Sequence, residues 1–151
     1  MNETLTSAAL RIRKLNELAR VPAYQTPGAA GLDLAACLPE GDIELKVGEI
    51  ARVPTGLAMA IPSGFEGQVR PRSGLSSKGI TVVNAPGTID ADYRGELQVL
   101  LINLSREPVQ ITHGMRIAQI VIAPVVQAAI EVVESLDETV RGVGGFGSTG
   151  H

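Results

Sequence analysis

The sequence predicts an all-β fold: an antiparallel, jelly-roll-like barrel or sandwich with one short helix and a flexible, Gly-rich C-terminal arm. Three observations predict it. Several short runs alternate apolar and polar residues at period two, the spacing that buries one face of a strand. Turn-forming residues separate these runs, among them Pro27-Gly28, Pro54-Thr-Gly56, Pro86-Gly87 and His113-Gly114, so that 17 glycines and 9 prolines act as punctuation. No helical pattern of about 10–15 residues lies between the runs, which argues against βαβ units.

Taken in order, Ala30-Gly-Leu-Asp-Leu-Ala-Ala36 reads as a small, apolar strand carrying a lone charge, Asp33. Ile43–Val47 has its apolar residues at odd positions, and Leu57–Ile61 and Phe65–Val69 repeat the pattern. Ser73 to Lys78 is the best helix candidate; in its plainest reading Ser73 is the N-cap of a solvated turn. Glu96–Leu104 and Ile117–Ile122 are longer and more apolar, as central buried strands should be. The last eleven residues, from Arg141 to His151, hold five glycines and one aromatic; such a segment cannot pack a core. The expected organisation is one domain over residues 1–140 and an arm over 141–151. A chain of 151 residues is long enough for one core, burying about 68–70% of its unfolded surface.

Composition excludes several functions. Thirteen basic residues against sixteen acidic give a net charge of −3, so nothing neutralises a nucleic-acid backbone. Aromatics are 3% with no Trp, too few for a base-stacking platform. Cys37 is the single cysteine, and His113 and His151 are the only histidines. That inventory cannot build a zinc centre, so any metal should be a hard ion held by oxygens. The N-terminus lacks a basic run followed by an apolar one, and no run reaches the 18 or so apolar residues of a membrane span. A soluble, cytoplasmic protein without a membrane or nucleic-acid partner is expected.

Four stretches carry chemistry. Gly142-(x)4-Gly147-Ser148-Thr149 has phosphate-loop spacing but Ser in place of Lys, and it lacks the flanking strand and helix. It fails as a triphosphatase signature, yet its N–H groups and hydroxyls suit phosphate oxygens. Arg72, Ser73 and Lys78 offer donors around a turn, a combination suited to an oligophosphate. In Asn84-Ala-Pro-Gly-Thr-Ile-Asp-Ala-Asp-Tyr-Arg-Gly-Glu96 two aspartates precede Tyr93. An extended backbone would put Asp90 and Asp92 on one face and Tyr93 on the other. An aspartate is ionised near neutrality and can take a proton from water. Asp33, by itself, reads as an outward-facing strand residue.

These stretches, with Arg116-Ile-Ala-Gln119, occur in an order that resembles the trimeric dUTPase family (deoxyuridine triphosphate nucleotidohydrolases). Ala30-Gly-Leu-Asp-Leu is similar to the first family motif, Arg72-Ser-Gly-Leu to the second and Gly87-Thr-Ile-Asp-Ala-Asp-Tyr-Arg-Gly95 to the third. Arg116-Ile-Ala-Gln119 is similar to the fourth, and Arg141-Gly-x-Gly-Gly-Phe-Gly-Ser-Thr-Gly150 to the fifth. Met115 departs from the acidic residue usual before the fourth motif.

The resemblance implies hydrolysis of dUTP to dUMP and pyrophosphate, by attack of water on the α-phosphorus with Asp90 as general base. Mg²⁺ would be held by substrate phosphates and waters, with Asp33 reaching those waters. Ser73 and Gln119, with Arg72 and Gly74 beside them, would meet phosphate oxygens. Asn84 and the third-motif residues Thr88 and Ile89 would read the uracil edge, and Tyr93 would pack on the deoxyribose and exclude a 2′-OH. Phe146 would stack on uracil, with Arg141, Gly147, Ser148 and Thr149 around the terminal phosphates. A homotrimer with shared sites is implied as well. Two alternatives stand beside this reading. One is a dCTP-deaminating relative, for which Glu96 is the only nearby carboxylate; the other is a non-catalytic nucleotide sensor of the same fold.

Overall fold

The structure, a computed structural model, describes residues 9–146. Ten strands and one helix follow in chain order. They are β1 (Arg11–Lys14), β2 (Leu32–Ala35), β3 (Ile43–Leu45), β4 (Ile50–Ala60) and β5 (Phe65–Arg70). Then come α1 (Ser73–Ser76), β6 (Ile80–Val82), β7 (Gly87–Ile89), β8 (Glu96–Asn103), β9 (Val109–Ile111) and β10 (Arg116–Pro124). No helix among the described residues is long and apolar enough to cross a membrane.

The strands form two four-stranded sheets, β1-β4-β8-β6 and β2-β10-β5-β7, and a two-stranded β3-β9 ribbon. Every pairing is antiparallel. The expected all-β class holds, but as open sheets: no closed barrel forms among the described residues. The sheets bury a shared core. Leu57, Val53, Leu97, Val99 and Leu101 face inward from β4 and β8, and Leu34, Ile117, Ala118 and Ile120 from β2 and β10. Each fully buried Leu or Ile contributes roughly 1.5–3 kcal/mol. Along β8 the odd residues from Leu97 are buried, while Glu96, Gln98 and Leu100 lie on the opposite, more open face. That alternation fixes which side chains can reach a ligand.

Among the described residues every buried side-chain nitrogen and oxygen has a hydrogen-bond partner. Asn103 donates to the Leu45 and Glu107 carbonyls and accepts from the N–H and hydroxyl of Ser105, so all its bonding capacity is used. Thr55 donates to the Leu97 carbonyl at 2.6 Å beside an irregularity in the β4–β8 register.

Two local expectations are corrected. The helix is one turn, Ser73–Ser76, and Arg72 rather than Ser73 occupies its N-cap, without a side-chain cap bond. The segment after β7 is a turn rather than an extended strand, closed by the Tyr93 N–H donating to the Asp90 carbonyl at 3.2 Å. The last strand among the described residues ends at Pro124, and Val126, Ile130, Val132, Leu136 and Val140 beyond it are exposed.

Candidate active site

The third-motif residues are placed by a hairpin. β7 lies on β5 with Gly87 opposite Val69 and Ile89 opposite Gly67. Asp90 follows at the strand end, exposed, and the turn then brings Tyr93 back toward the start of β8. The Tyr93 hydroxyl donates to the Glu96 carbonyl at 3.0 Å, which holds the ring over the turn. Thr88, Ile89, Asp90 and Tyr93 thereby line a groove of about 350 Å³, completed by Arg52, Glu96, Leu97, Gln98 and Leu100. That volume is in the range of small-molecule sites. A second, wider groove lies on the other side of Asp90, with Glu66, Asp92, Phe65 and Gln127. Its side-chain charges are all carboxylates, which repel a polyphosphate. The first groove differs in setting a guanidinium, Arg52, and an aromatic ring, Tyr93, beside its carboxylates Asp90 and Glu96.

Asn84 sits in the turn before β7, and its side-chain nitrogen lies close to Gly87. It does not line the Asp90 groove.

A second cluster forms elsewhere. Asp33 on β2 accepts a hydrogen bond from Arg72 Nε at 2.9 Å and from Arg116 at 3.3 Å. It faces outward, as read from its neighbours, between the buried Leu32 and Leu34, and it is bridged there by two guanidiniums. Arg72 also donates to the Arg116 carbonyl, so its guanidinium ties β10 to the loop before α1. Gln119, opposite Asp33 in the β2–β10 register, donates to the Pro71 carbonyl at 2.9 Å. Gly31 is what leaves room for it: a Cβ there would run into the Gln119 amide. Ser73 and Gly74 follow at the exposed start of α1. Arg72, Ser73, Gly74, Gln119 and Asp33 thus form one polar corner.

The two groups stand apart. Asp33 lies on β2 and Asp90 follows β7, the opposite edges of one four-stranded sheet, about 14 Å across three inter-strand spacings. Asp90 is also beside the Glu66 end of β5, whereas Arg72 and Ser73 follow its Arg70 end, roughly 13 Å further along the strand.

Of the arm, Arg141 donates to the Gly144 carbonyl at 2.8 Å and Phe146 is wholly exposed. Neither lines either groove. Gly147, Ser148 and Thr149 lie outside the described residues.

Glu96, the carboxylate a deaminase would need, accepts the Gly56 N–H at 2.9 Å and a Gln98 N–H at 3.3 Å. It is engaged in holding the β4 irregularity. Arg52, Gln98 and Leu100 were not found from sequence. The signal was available for Gln98 and Leu100, which occupy alternate, outward positions of β8. For Arg52, which pairs with Leu100 across two strands, there was none.

Among the described residues no three His, Cys, Asp or Glu side chains come close enough to hold a metal. The corner suits a hydrated ion instead. Each Asp33 oxygen accepts one guanidinium N–H and keeps lone-pair capacity for a water.

Fold and site together define a β-sandwich protein with a groove of small-molecule size beside an exposed carboxylate, Asp90, and a separate guanidinium-rich corner. The dUTPase family profile matches residues 17–150. The deoxyuridine 5′-triphosphate nucleotidohydrolase of Desulfotalea psychrophila is 62% identical over 135 residues, 89% of each chain. That of Syntrophotalea carbinolica is 54% identical over 147 residues, 97% of this chain and 99% of that one. Among solved structures, a variant dUTPase of Staphylococcus bacteriophage 80alpha with dUpNHpp shares 28% identity at a TM-score of 0.84, over 95% of this chain and 99% of that one. A variant dUTPase from phage phi11 of S. aureus, which coordinates a structural Mg(II) ion, matches at 28% identity and a TM-score of 0.76, over 84% of this chain and 97% of that one. The chain belongs to the dUTPase family.

Proposed function

We propose that this chain hydrolyses dUTP to dUMP and pyrophosphate, using sites shared between the copies of a homotrimer in the cytoplasm. The observation that carries the reading is Asp90, an exposed carboxylate in a nucleoside-sized groove with Tyr93 and Thr88, in a chain of this family. Asp90 takes the proton of the attacking water as its oxygen bonds to the α-phosphorus. The bond from that phosphorus to the bridging oxygen breaks, and pyrophosphate leaves. Tyr93, which lines the groove, closes it against a 2′-hydroxyl. Thr88, Ile89 and the neighbouring backbone face the base, with Asn84 at the far end of β7. Arg72, Ser73, Gly74 and Gln119 receive phosphate oxygens. Asp33 would hold the waters of a Mg²⁺ ion arriving with the substrate, an ion that keeps several waters and would supply neutralisation of the triphosphate charge.

A general base must reach its water at about 2.6–3.2 Å. Asp90 cannot do so for a phosphate seated at Ser73 and Gln119 of its own chain, given the separation across and along the sheet. That separation supports a site in which Asp90 comes from one chain and the phosphate corner from another. Residues 1–140 then act as the domain and residues 141–151 as the arm, which brings Arg141, Phe146, Gly147, Ser148 and Thr149 over the substrate and excludes bulk water.

The test is a product assay over dUTP, UTP, dTTP and dCTP with Mg²⁺. The reading requires dUTP to be consumed with equimolar dUMP and pyrophosphate and the other three to be poor substrates. Cytosine would leave the groups that pair with uracil unmet, which can cost about 10⁴-fold. Ammonia from dCTP would restore the deaminase reading, and binding without turnover the sensor reading.

A further inference from the structure

Gly95 has a purpose that its backbone does not explain. It is absent from the glycines with positive φ, which include Gly56, Gly79 and Gly114, so an L-residue fits its conformation. What has no space is a side chain. A Cβ on Gly95 would lie 2.6 Å from Cζ and 2.9 Å from Cε2 of Tyr93, and closer still to its hydroxyl oxygen. These three atoms of Tyr93 are its nearest neighbours. By contrast, a Cβ on Gly79 would meet the backbone of Ser105, which cannot move aside.

We infer that Gly95 is a specificity-determining position: its missing Cβ is the seat of the Tyr93 ring, and filling that seat costs discrimination against ribonucleotides without costing the fold. The Tyr93 ring is half exposed, at 45%, and is held over the turn by the bond from its hydroxyl to the Glu96 carbonyl. A methyl on Gly95 displaces that hydroxyl and turns the ring about its own side-chain torsions. The turn itself stays closed by the Tyr93 N–H to Asp90 bond, and Asp90 keeps its place. The wall of the groove moves while the base does not. Gly95 touches no substrate; it is a positioning residue that acts through Tyr93. The inference rests on the reading of Tyr93 as the group that excludes a 2′-hydroxyl.

The experiment compares the full chain with Gly95→Ala, Tyr93→Ala and the double variant, reading kcat/KM for dUTP and for UTP together with the melting temperature. Gly95→Ala should lower the dUTP-over-UTP ratio about tenfold or more, as loss of a steric wall does, at an unchanged melting temperature. In the Tyr93→Ala background it should change the ratio no further, because its three nearest neighbours, all atoms of Tyr93, are gone. An unchanged ratio in Gly95→Ala, a further loss in the double variant, or failure of Gly95→Ala to fold would each overturn the inference. If the unaltered chain does not prefer dUTP, or Tyr93→Ala keeps the preference, then the reading of Tyr93 is what fails, and the inference is overturned with it.

Discussion

Asp90 owes its availability to where the chain bends. It stands at the end of β7, exposed and free of ion pairs among the described residues, whereas Asp33 is held by two guanidiniums. In the proposed reaction the first carboxylate accepts a proton and the second holds the waters of the metal ion. Asp90→Asn should keep the melting temperature and lower kcat by roughly 10²–10⁴, the usual worth of a general base; near-normal turnover would remove it from that role. Asp33→Ala should cost about 1 kcal/mol or less in a denaturant titration, since the pairs are partly exposed. It should also raise the Mg²⁺ concentration needed for half-maximal rate, and an unchanged metal titration would leave Asp33 a structural ion only. Burial pushes the Cys37 thiol above its ordinary 9.0, with the Glu96 charge adding to the rise and Lys14 opposing it. A raised folded value means that the unfolded thiol ionises first, so Cys37 contributes stability below pH 9 that is lost as pH rises above it. Replacing Cys37 by Ser should flatten the alkaline fall in melting temperature. Asp90 and Tyr93 were legible in the sequence because the turn that unites them is contiguous. The Asp33–Arg116 bond was not: it joins residues 83 positions apart, and neither strand's own pattern points to the other.

The elements were legible in proportion to their length. β8 and β10 announce themselves by sustained apolar alternation, and β5 matches Phe65–Val69 within one residue. β1 does not, because Ile12 is the only apolar residue among Arg11, Arg13 and Lys14; charge on an edge strand guards it against stray pairing and hides its period. β6, β7 and β9 have three residues each, too few for a period to register. At the start of α1, Arg72 takes the N-cap that Ser73 was expected to fill: its backbone is still extended, and its guanidinium reaches across to Asp33 rather than capping the helix. The element most exposed to error is β7, which aims Asp90 and rests on β5 alone. Gly67 makes that contact close. A Cβ there would meet Ile61 Cδ1 at 2.8 Å, Ile120 Cδ1 at 2.9 Å and Ile89 Cβ at 3.2 Å. Gly67→Ala should therefore destabilise the fold by about 1–3 kcal/mol, the cost of overpacking, and lower kcat as well. A calorimetric scan with the rate assay checks both; an unchanged melting temperature would mean that β7 yields freely.

At the scale of the molecule, the sandwich class follows from many short alternating strands, but its open form does not, because closure depends on pairings between strands distant in sequence. The arm likewise declares itself by composition while its contacts do not, since Arg141 and Phe146 touch neither groove of their own chain. Deleting residues 141–151 should sharply reduce hydrolysis and leave the melting temperature nearly unchanged, because exposed segments bury little. A large loss of stability would instead make the arm part of the core. The central claim is that Asp90 and the phosphate corner of one site belong to different chains of a cyclic trimer. Co-expression of Asp90→Asn chains with Ser73→Ala chains tests it most directly, each being impaired alone. With equal expression and random assembly, an intact Asp90 faces an intact Ser73 in about a quarter of all sites, if neighbouring chains build each site. Activity near one quarter of the unaltered enzyme is the expected result. Activity no higher than the average of the two parents would confine the site to a single chain and contradict the account.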